Sequence, residues 1–261
     1  MMLLRDYKIA GLLLLTLFLT GCATTGGQPD ATGNLGLEKR DSPGKIYVEM
    51  GIAYMRDGQD AVALQKLRRG LEVDEQNPEA HNVIAILYER LGEIDLAARH
   101  YDRAVNLDPR DPYIRNARGS YYCKQNRYEM ADQEFQLALD NPLYPTPWVA
   151  LNNAGLCAER AGDMVMAETY YRRALTANPR YSPALFQMAE LSLEQQKGMS
   201  ARAYLERYHG EVKGTAASLW LGVQIEQRLG DRQKVVEYKR RLLKEFPDAP
   251  EIQALNQSER Q

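Results

Sequence analysis

The chain has 261 residues, of which 44% are hydrophobic and 26% charged, and a formal net charge of −2. Length alone allows one or two ordinary domains. The near-neutral balance, with no basic stripe, excludes the electrostatic footprint of a nucleic-acid binder. Tyrosine is abundant, at 16 residues, and most of it falls where a helical core needs bulk rather than where bases would stack.

The N-terminus reads as an address. Arg5 and Lys8 precede an apolar run of eleven residues, Ile9 to Leu19, which is too short to span a bilayer and fits a signal peptide over residues 1–21. Leu19-Thr20-Gly21-Cys22 resembles the bacterial lipobox. That resemblance implies diacylglyceryl transfer to the Cys22 thiol, cleavage before it and acylation of the new amine. The alternative is an ordinary secreted protein with an accidental cysteine. Ala23, where aspartate commonly retains such proteins at the inner membrane, implies the outer membrane of a Gram-negative cell. Cleavage removes Arg5, Asp6 and Lys8, leaving a charge of −3. Residues 22–43, rich in Gly, Thr, Asp and Pro, read as a lipidated flexible tether reaching about 25 Å.

From Gly44 to Ala249 one 34-residue phrase recurs. Its starts fall at Gly44, Pro78, Pro112, Trp148, Ser182 and Ala216, at intervals of 34, 34, 36, 34 and 34. A fixed period of this length means stacked supersecondary units, which bind along a concave face and rarely carry catalysis. The units are 44–77, 78–111, 112–147, 148–181, 182–215 and 216–249, with 250–261 left as a C-terminal tail. Counting from each start, position 8 is small: Gly51, Ala85, Gly119, Gly155, Ala189 and Val223. Position 20 reads Ala63, Ala97, Ala131, Ala167, Ala201 and Val235, and two antiparallel helices must cross closely at both places. Position 24 is bulky, with Leu67, Tyr101, Phe135, Tyr171 and Leu205, and Lys239 in the sixth unit. The pattern resembles the tetratricopeptide repeat, a helix A–turn–helix B of this length. It implies an all-α, right-handed superhelical solenoid of six such repeats.

Punctuation agrees with that frame. Gly58, Gly92, Gly162 and Gly230 stand between helices A and B, where a left-handed residue ends a helix. Pro109, Pro179 and Pro247 stand where helix B must stop. Asn141 to Pro147 (NPLYPTP) breaks the third-to-fourth junction with three prolines and makes a stiff connector. It is either a tolerated insertion or a local change of pitch that forms a docking ledge.

Setting Cys22 aside leaves Cys123 and Cys157, on neighbouring A helices in an oxidising compartment. Two readings are open: a disulfide across the connector, or two buried thiols acting as small hydrophobes. No Cys-x-x-Cys, catalytic constellation, phosphate loop or metal-ligand spacing occurs, and His81, His100 and His209 are scattered. The expectation is a non-enzyme without metal, cofactor or small-molecule substrate.

In tetratricopeptide arrays, A-helix positions 2, 5, 9, 12 and 13 line the groove. The resemblance places Val48, Ile52 and Met55 there from repeat one, and Asn82 and Ile86 from repeat two. Tyr113 and Asn116 come from repeat three, and Asn152 and Leu156 from repeat four. Val48, Ile52, Met55 and Ile86 are expected to form an exposed apolar patch, and such patches mark interfaces. The alternating Asn82, Asn116 and Asn152 suit an extended or helical peptide. A competing reading has the tether covering the first repeat. The carboxylate clamp of chaperone-tail adaptors is absent, since its positions hold Val48, Ile52, Val83, Tyr113 and Ala117.

Five strings carry a narrower resemblance. They are Gly119 through Ala131 (GSYYCKQNRYEMA), Asn141 through Pro147, Asn153 through Cys157 (NAGLC), Ser182 through Leu191 (SPALFQMAEL) and Ser218 through Val223 (SLWLGV). With the lipobox and six repeats, the chain resembles the PilF/PilW pilotins, type IV pilus biogenesis lipoproteins. That resemblance implies an outer-membrane lipoprotein that binds secretin subunits and promotes their localisation and multimerisation, with twitching motility downstream. One departure is Arg115 to Arg118, where the family shows paired Asn followed by Tyr-Gly, which alters groove chemistry in repeat three. The runner-up is a lipoprotein adaptor of the same fold serving cell-wall hydrolases or outer-membrane protein assembly.

Overall fold

The computed structural model describes residues 42–258. Cys22 and nearly all of the tether lie outside the described residues. The described residues form thirteen α-helices and no strand. Six A helices are α1 (Lys45–Arg56), α3 (Pro78–Arg90), α5 (Pro112–Lys124), α7 (Pro147–Arg160), α9 (Ser182–Glu194) and α11 (Ala216–Leu229). Six B helices are α2 (Asp60–Val73), α4 (Ile94–Leu107), α6 (Tyr128–Leu139), α8 (Met164–Ala177), α10 (Gly198–Glu211) and α12 (Arg232–Glu245). Each A helix packs most heavily on the B helix of its own repeat, and each B helix packs on the next A helix. This is the all-α repeat architecture expected from the period.

Local chemistry sets the helix ends. Asn77 Oδ1 accepts from Ala80 N at 2.9 Å, and Asp111 Oδ1 accepts from Tyr113 N at 2.8 Å and Ile114 N at 3.1 Å. These caps satisfy N–H groups that the first turn leaves unpaired. Pro78, Pro112 and Pro147 each occupy the first helical position, where a missing N–H costs nothing. All six A–B turns use a left-handed residue. Glycine fills four of them, with φ from 72° to 83°, while Asn126 (φ 58°) and Gln196 (φ 62°) fill the turns of repeats three and five.

Close approach of A and B helices explains the small position 8. A Cβ on Gly51 would stand 2.5 Å from Leu67 Cγ, on Gly119 2.8 Å from Phe135 Cδ1, and on Gly155 2.4 Å from Tyr171 Cε1. In repeat six the same pairing is Gly222 against Tyr238, at 2.6 Å. That is one residue earlier than the fixed period places it at Val223 and Lys239. The helix pair slips to seat the aromatic ring, because packing outranks counting.

The connector is anchored. Tyr144 is buried against Ala138 and Ala150, and Asn141 Nδ2 donates to Arg110 O at 3.2 Å. Leu143 beside it is 85% exposed. At the far end, residues 251–258 of the tail form α13 (Glu251–Ser258), and Leu255 is buried with Leu219 and Leu242. A short closing helix of this kind covers the apolar end that a terminal repeat otherwise shows to water.

Candidate partner-binding face

The A-helix face differs from the expected apolar patch. Val48 is fully buried and Met55 nearly so, both in the main core. Ile52 and Leu156 are half-buried and packed on that core. Val48 faces Gly70 of α2 across the helix pair. Of the four residues expected to form the patch, Ile86 alone is substantially exposed, at 36%.

The asparagine row is also corrected. Asn82 and Asn152 are buried, and their Oδ1 atoms are closed off without a hydrogen-bond partner. As they stand they do not meet a ligand. Asn116 remains partly exposed on the face, where its Oδ1 accepts from Asn153 Nδ2 of the next repeat at 3.0 Å. Tyr113 is 48% exposed but stacks edge-on against Tyr144 at 5.3 Å, so it belongs to the connector as much as to the groove. Helical phase explains these misses: position 5 lies near the boundary between the groove stripe and the inter-repeat seam, and small changes in helix rotation carry it inside.

Arg115 and Arg118 also turn away from the groove. Both bind Glu134 of α6, at 3.0 Å and 2.5 Å, and Arg118 adds Asp102 at 3.1 Å. Glu134 is only 6% exposed. The departure at these positions is therefore a charge network between the helices of repeat three that reaches Asp102 of repeat two, where a desolvated carboxylate requires paired donors.

Two matched devices do lie on the face. Tyr101 Oη donates to Glu89 at 3.0 Å in repeat two, and Tyr171 Oη donates to Glu159 at 2.7 Å in repeat four. Burial, reinforced by the neighbouring carboxylate, pushes both phenols well above their ordinary range. Lys124 of the following repeat pairs with Glu89. After Glu159 the equivalent position holds Glu194, with Glu190 one turn before it. Burial first, then the charges of Glu159 and Glu194, push Glu190 up to about 7. The face is thus neutralised between repeats two and three and acidic between repeats four and five. The exchange of lysine for glutamate at position 13 was the readable signal for this.

Cys123 on α5 and Cys157 on α7 have Cα atoms 5.6 Å apart and are joined as a disulfide. It ties repeats three and four together near the C-terminal ends of their A helices. Near the start of the array, His81 Nδ1 and His100 Nδ1 are 3.0 Å apart, and His81 Nε2 is 3.1 Å from Glu75 O. The carbonyl can only accept, so His81 carries its proton on Nε2, and its Nδ1 accepts a hydrogen bond from His100 Nδ1–H. Both rings are held neutral. Burial lowers both pKa values, that of His100 to about 4 with the help of His81 and of Arg99. Among the described residues no group of three or more His, Cys, Asp or Glu is arranged to hold a metal ion. Among them, no helix is long and apolar enough to cross a membrane.

The paired helices, the small residues at their crossings and the continuous A-helix face define a tetratricopeptide repeat protein. Tetratricopeptide repeat models match residues 48–113, 100–133 and 149–181. The type IV pilus assembly protein PilF of Pseudomonas aeruginosa is 28% identical over 246 residues, covering 94% of this chain and 96% of its own. The crystal structure of PilW, described as a widely conserved type IV pilus biogenesis factor, superposes with a TM-score of 0.74 at 30% identity, covering 81% of this chain and 97% of PilW. The PilF structure superposes with a TM-score of 0.73 at 27% identity, covering 84% and 99%. The chain belongs to the PilF/PilW family of type IV pilus biogenesis proteins.

Proposed function

We propose that this chain is an outer-membrane lipoprotein pilotin: it binds secretin subunits and promotes their localisation and multimerisation for type IV pilus biogenesis. The observation that carries the reading is the end-to-end likeness to PilF. That likeness covers 94% of this chain and 96% of PilF. The lipid on Cys22 supplies membrane residence, and several acyl chains anchor stably where one does not. The A-helix face of repeats one to four captures the secretin segment. Ile86 gives an apolar contact, Asn116 and Asn153 offer amides to a peptide backbone, and Ile52 and Leu156 form the half-buried floor.

The test is secretin assembly in a deletion strain of the source bacterium, read as the high-mass multimer on unboiled, non-reducing gels of outer membranes. The wild-type gene restores the multimer. Cys22→Ser fails through loss of the anchor, and Ile86→Asp fails with helicity intact, because Ile86 is exposed enough to accept a charge without unfolding the array. A normal multimer in the deletion strain sinks the reading and puts the cell-wall or outer-membrane assembly adaptor in its place.

A further inference from the structure

A second surface lies away from the A-helix groove. Between α6, the C-terminal half of α7 and the start of α8 is a cavity of about 480 Å³. Tyr128, Met166 and Tyr170 form its apolar walls, and Glu129, Asp132 and Asp163 stand around it. The lining holds three carboxylates and no lysine, arginine or histidine. Of two guanidinium groups nearby, Arg127 stacks on the ring of Tyr122 at 4.6 Å, and Arg173 lies 5.7 Å from the ring of Tyr170, outside the lining.

The first turn of α8, beside the cavity, is unusual within the array. In the other repeats the corresponding triplets are Asp60-Ala61-Val62, Ile94-Asp95-Leu96, Tyr128-Glu129-Met130, Gly198-Met199-Ser200 and Arg232-Gln233-Lys234. Each includes a charged or polar residue. Repeat four has Met164-Val165-Met166, with exposures of 38%, 79% and 44%. Three adjacent apolar side chains are left in water at the start of a helix, where acidic residues are otherwise favoured. Exposed methionines suit a surface that adapts to a partner's side chains. A contiguous apolar patch on a monomer marks an interaction site.

We infer that this edge of repeats three and four is a second docking surface, which takes a peptide segment carrying arginine or lysine next to a leucine-like side chain. Charge complementarity selects the occupant. The cationic head meets Glu129, Asp132 and Asp163, its apolar stem lies along Tyr128, and the neighbouring aliphatic side chain covers Met164 to Met166. The surface shares α7 with the secretin-capturing face, where it uses Ala154 and Ala158 rather than Asn153 and Leu156, and does not depend on that reading.

The test uses purified full chain and three synthetic peptides: acetyl-Leu-Arg-Ser-Leu-Arg-Ser-amide, its Arg→Glu counterpart and its Arg→citrulline counterpart. Titrations are followed by backbone amide NMR shifts. The arginine peptide is expected to move resonances of residues 128–135 and 154–170, and the citrulline peptide to bind about tenfold more weakly. The glutamate peptide should leave the spectrum unchanged. Glu129→Lys and Ala161→Trp, both at exposed positions that tolerate substitution, should each lower affinity about tenfold while leaving the rest of the spectrum in place. Equal binding of the acidic peptide, shifts confined to the A-helix face, or full affinity in both variants overturns the inference.

Discussion

Replacing Gly155 with alanine tests the central packing argument. In an isolated helix the change gains about 1 kcal/mol of propensity. Here the new Cβ would lie 2.4 Å from Tyr171 Cε1 and 2.6 Å from Cδ1. Tyr171 is fully buried, and its hydroxyl is tied to Glu159 at 2.7 Å, so the ring has no free direction of retreat. Overpacking costs about 1–3 kcal/mol, and losing a hydrogen bond to a charged acceptor costs about 1.5–3 kcal/mol. Repeat two already accommodates Ala85 in the same frame as Tyr101, so the helix pair relaxes part of the way. The expected balance is a loss of about 1–3 kcal/mol. Gly210 is the control: a Cβ there meets nothing within 4 Å, and Gly210→Ala should gain up to about 1 kcal/mol. Urea unfolding followed by far-ultraviolet circular dichroism measures both variants. A Gly155→Ala midpoint at or above the wild-type value refutes the close-approach account of position 8.

Three further outcomes follow from particular residues. Gln196 sits at φ 62°, so Gln196→Gly should raise stability by about 1 kcal/mol and Asn126→Gly by less, since asparagine tolerates that conformation; equal urea midpoints for all three proteins refute this. The Cys123–Cys157 bridge closes a separation of 34 residues, so reduction or Cys157→Ser should cost about 3–4 kcal/mol, read by unfolding with and without reductant. His100 is held neutral in the fold down to about pH 4. A base whose folded pKa is depressed leaves stability unchanged above its unfolded pKa, and stability falls as pH drops from about 6.5 towards 4. The paired variant His81→Phe with His100→Phe should flatten that loss, and an unchanged pH profile contradicts the neutral-pair assignment.

The period, the helix ends and the proline stops were legible because they are local. A glycine between two amphipathic runs, or a proline after one, acts through its own backbone whatever the rest of the chain does. Position 15 was read only where glycine occupied it; Asn126 and Gln196 took the same left-handed turn because the flanking helices impose it. The groove was the least legible part. Val48, Met55, Asn82 and Asn152 occupy groove positions by count yet lie inside, and Arg115 and Arg118 reach back to Glu134. A side chain's face depends on helix rotation against its neighbours, which a 34-residue count does not contain.

Sequence by itself determined that this chain is a six-unit all-α array, because a repeated pattern of small and bulky residues has one economical packing solution and every unit repeats the same evidence. Tertiary structure decided what each face offers. It buried the expected apolar patch, left Glu159, Glu190 and Glu194 together without the lysine that answers Glu89, and set Met164 to Met166 beside an acidic cavity. Those properties arise where residues from successive repeats meet, and the charge and exposure of such a junction belong to neither repeat alone.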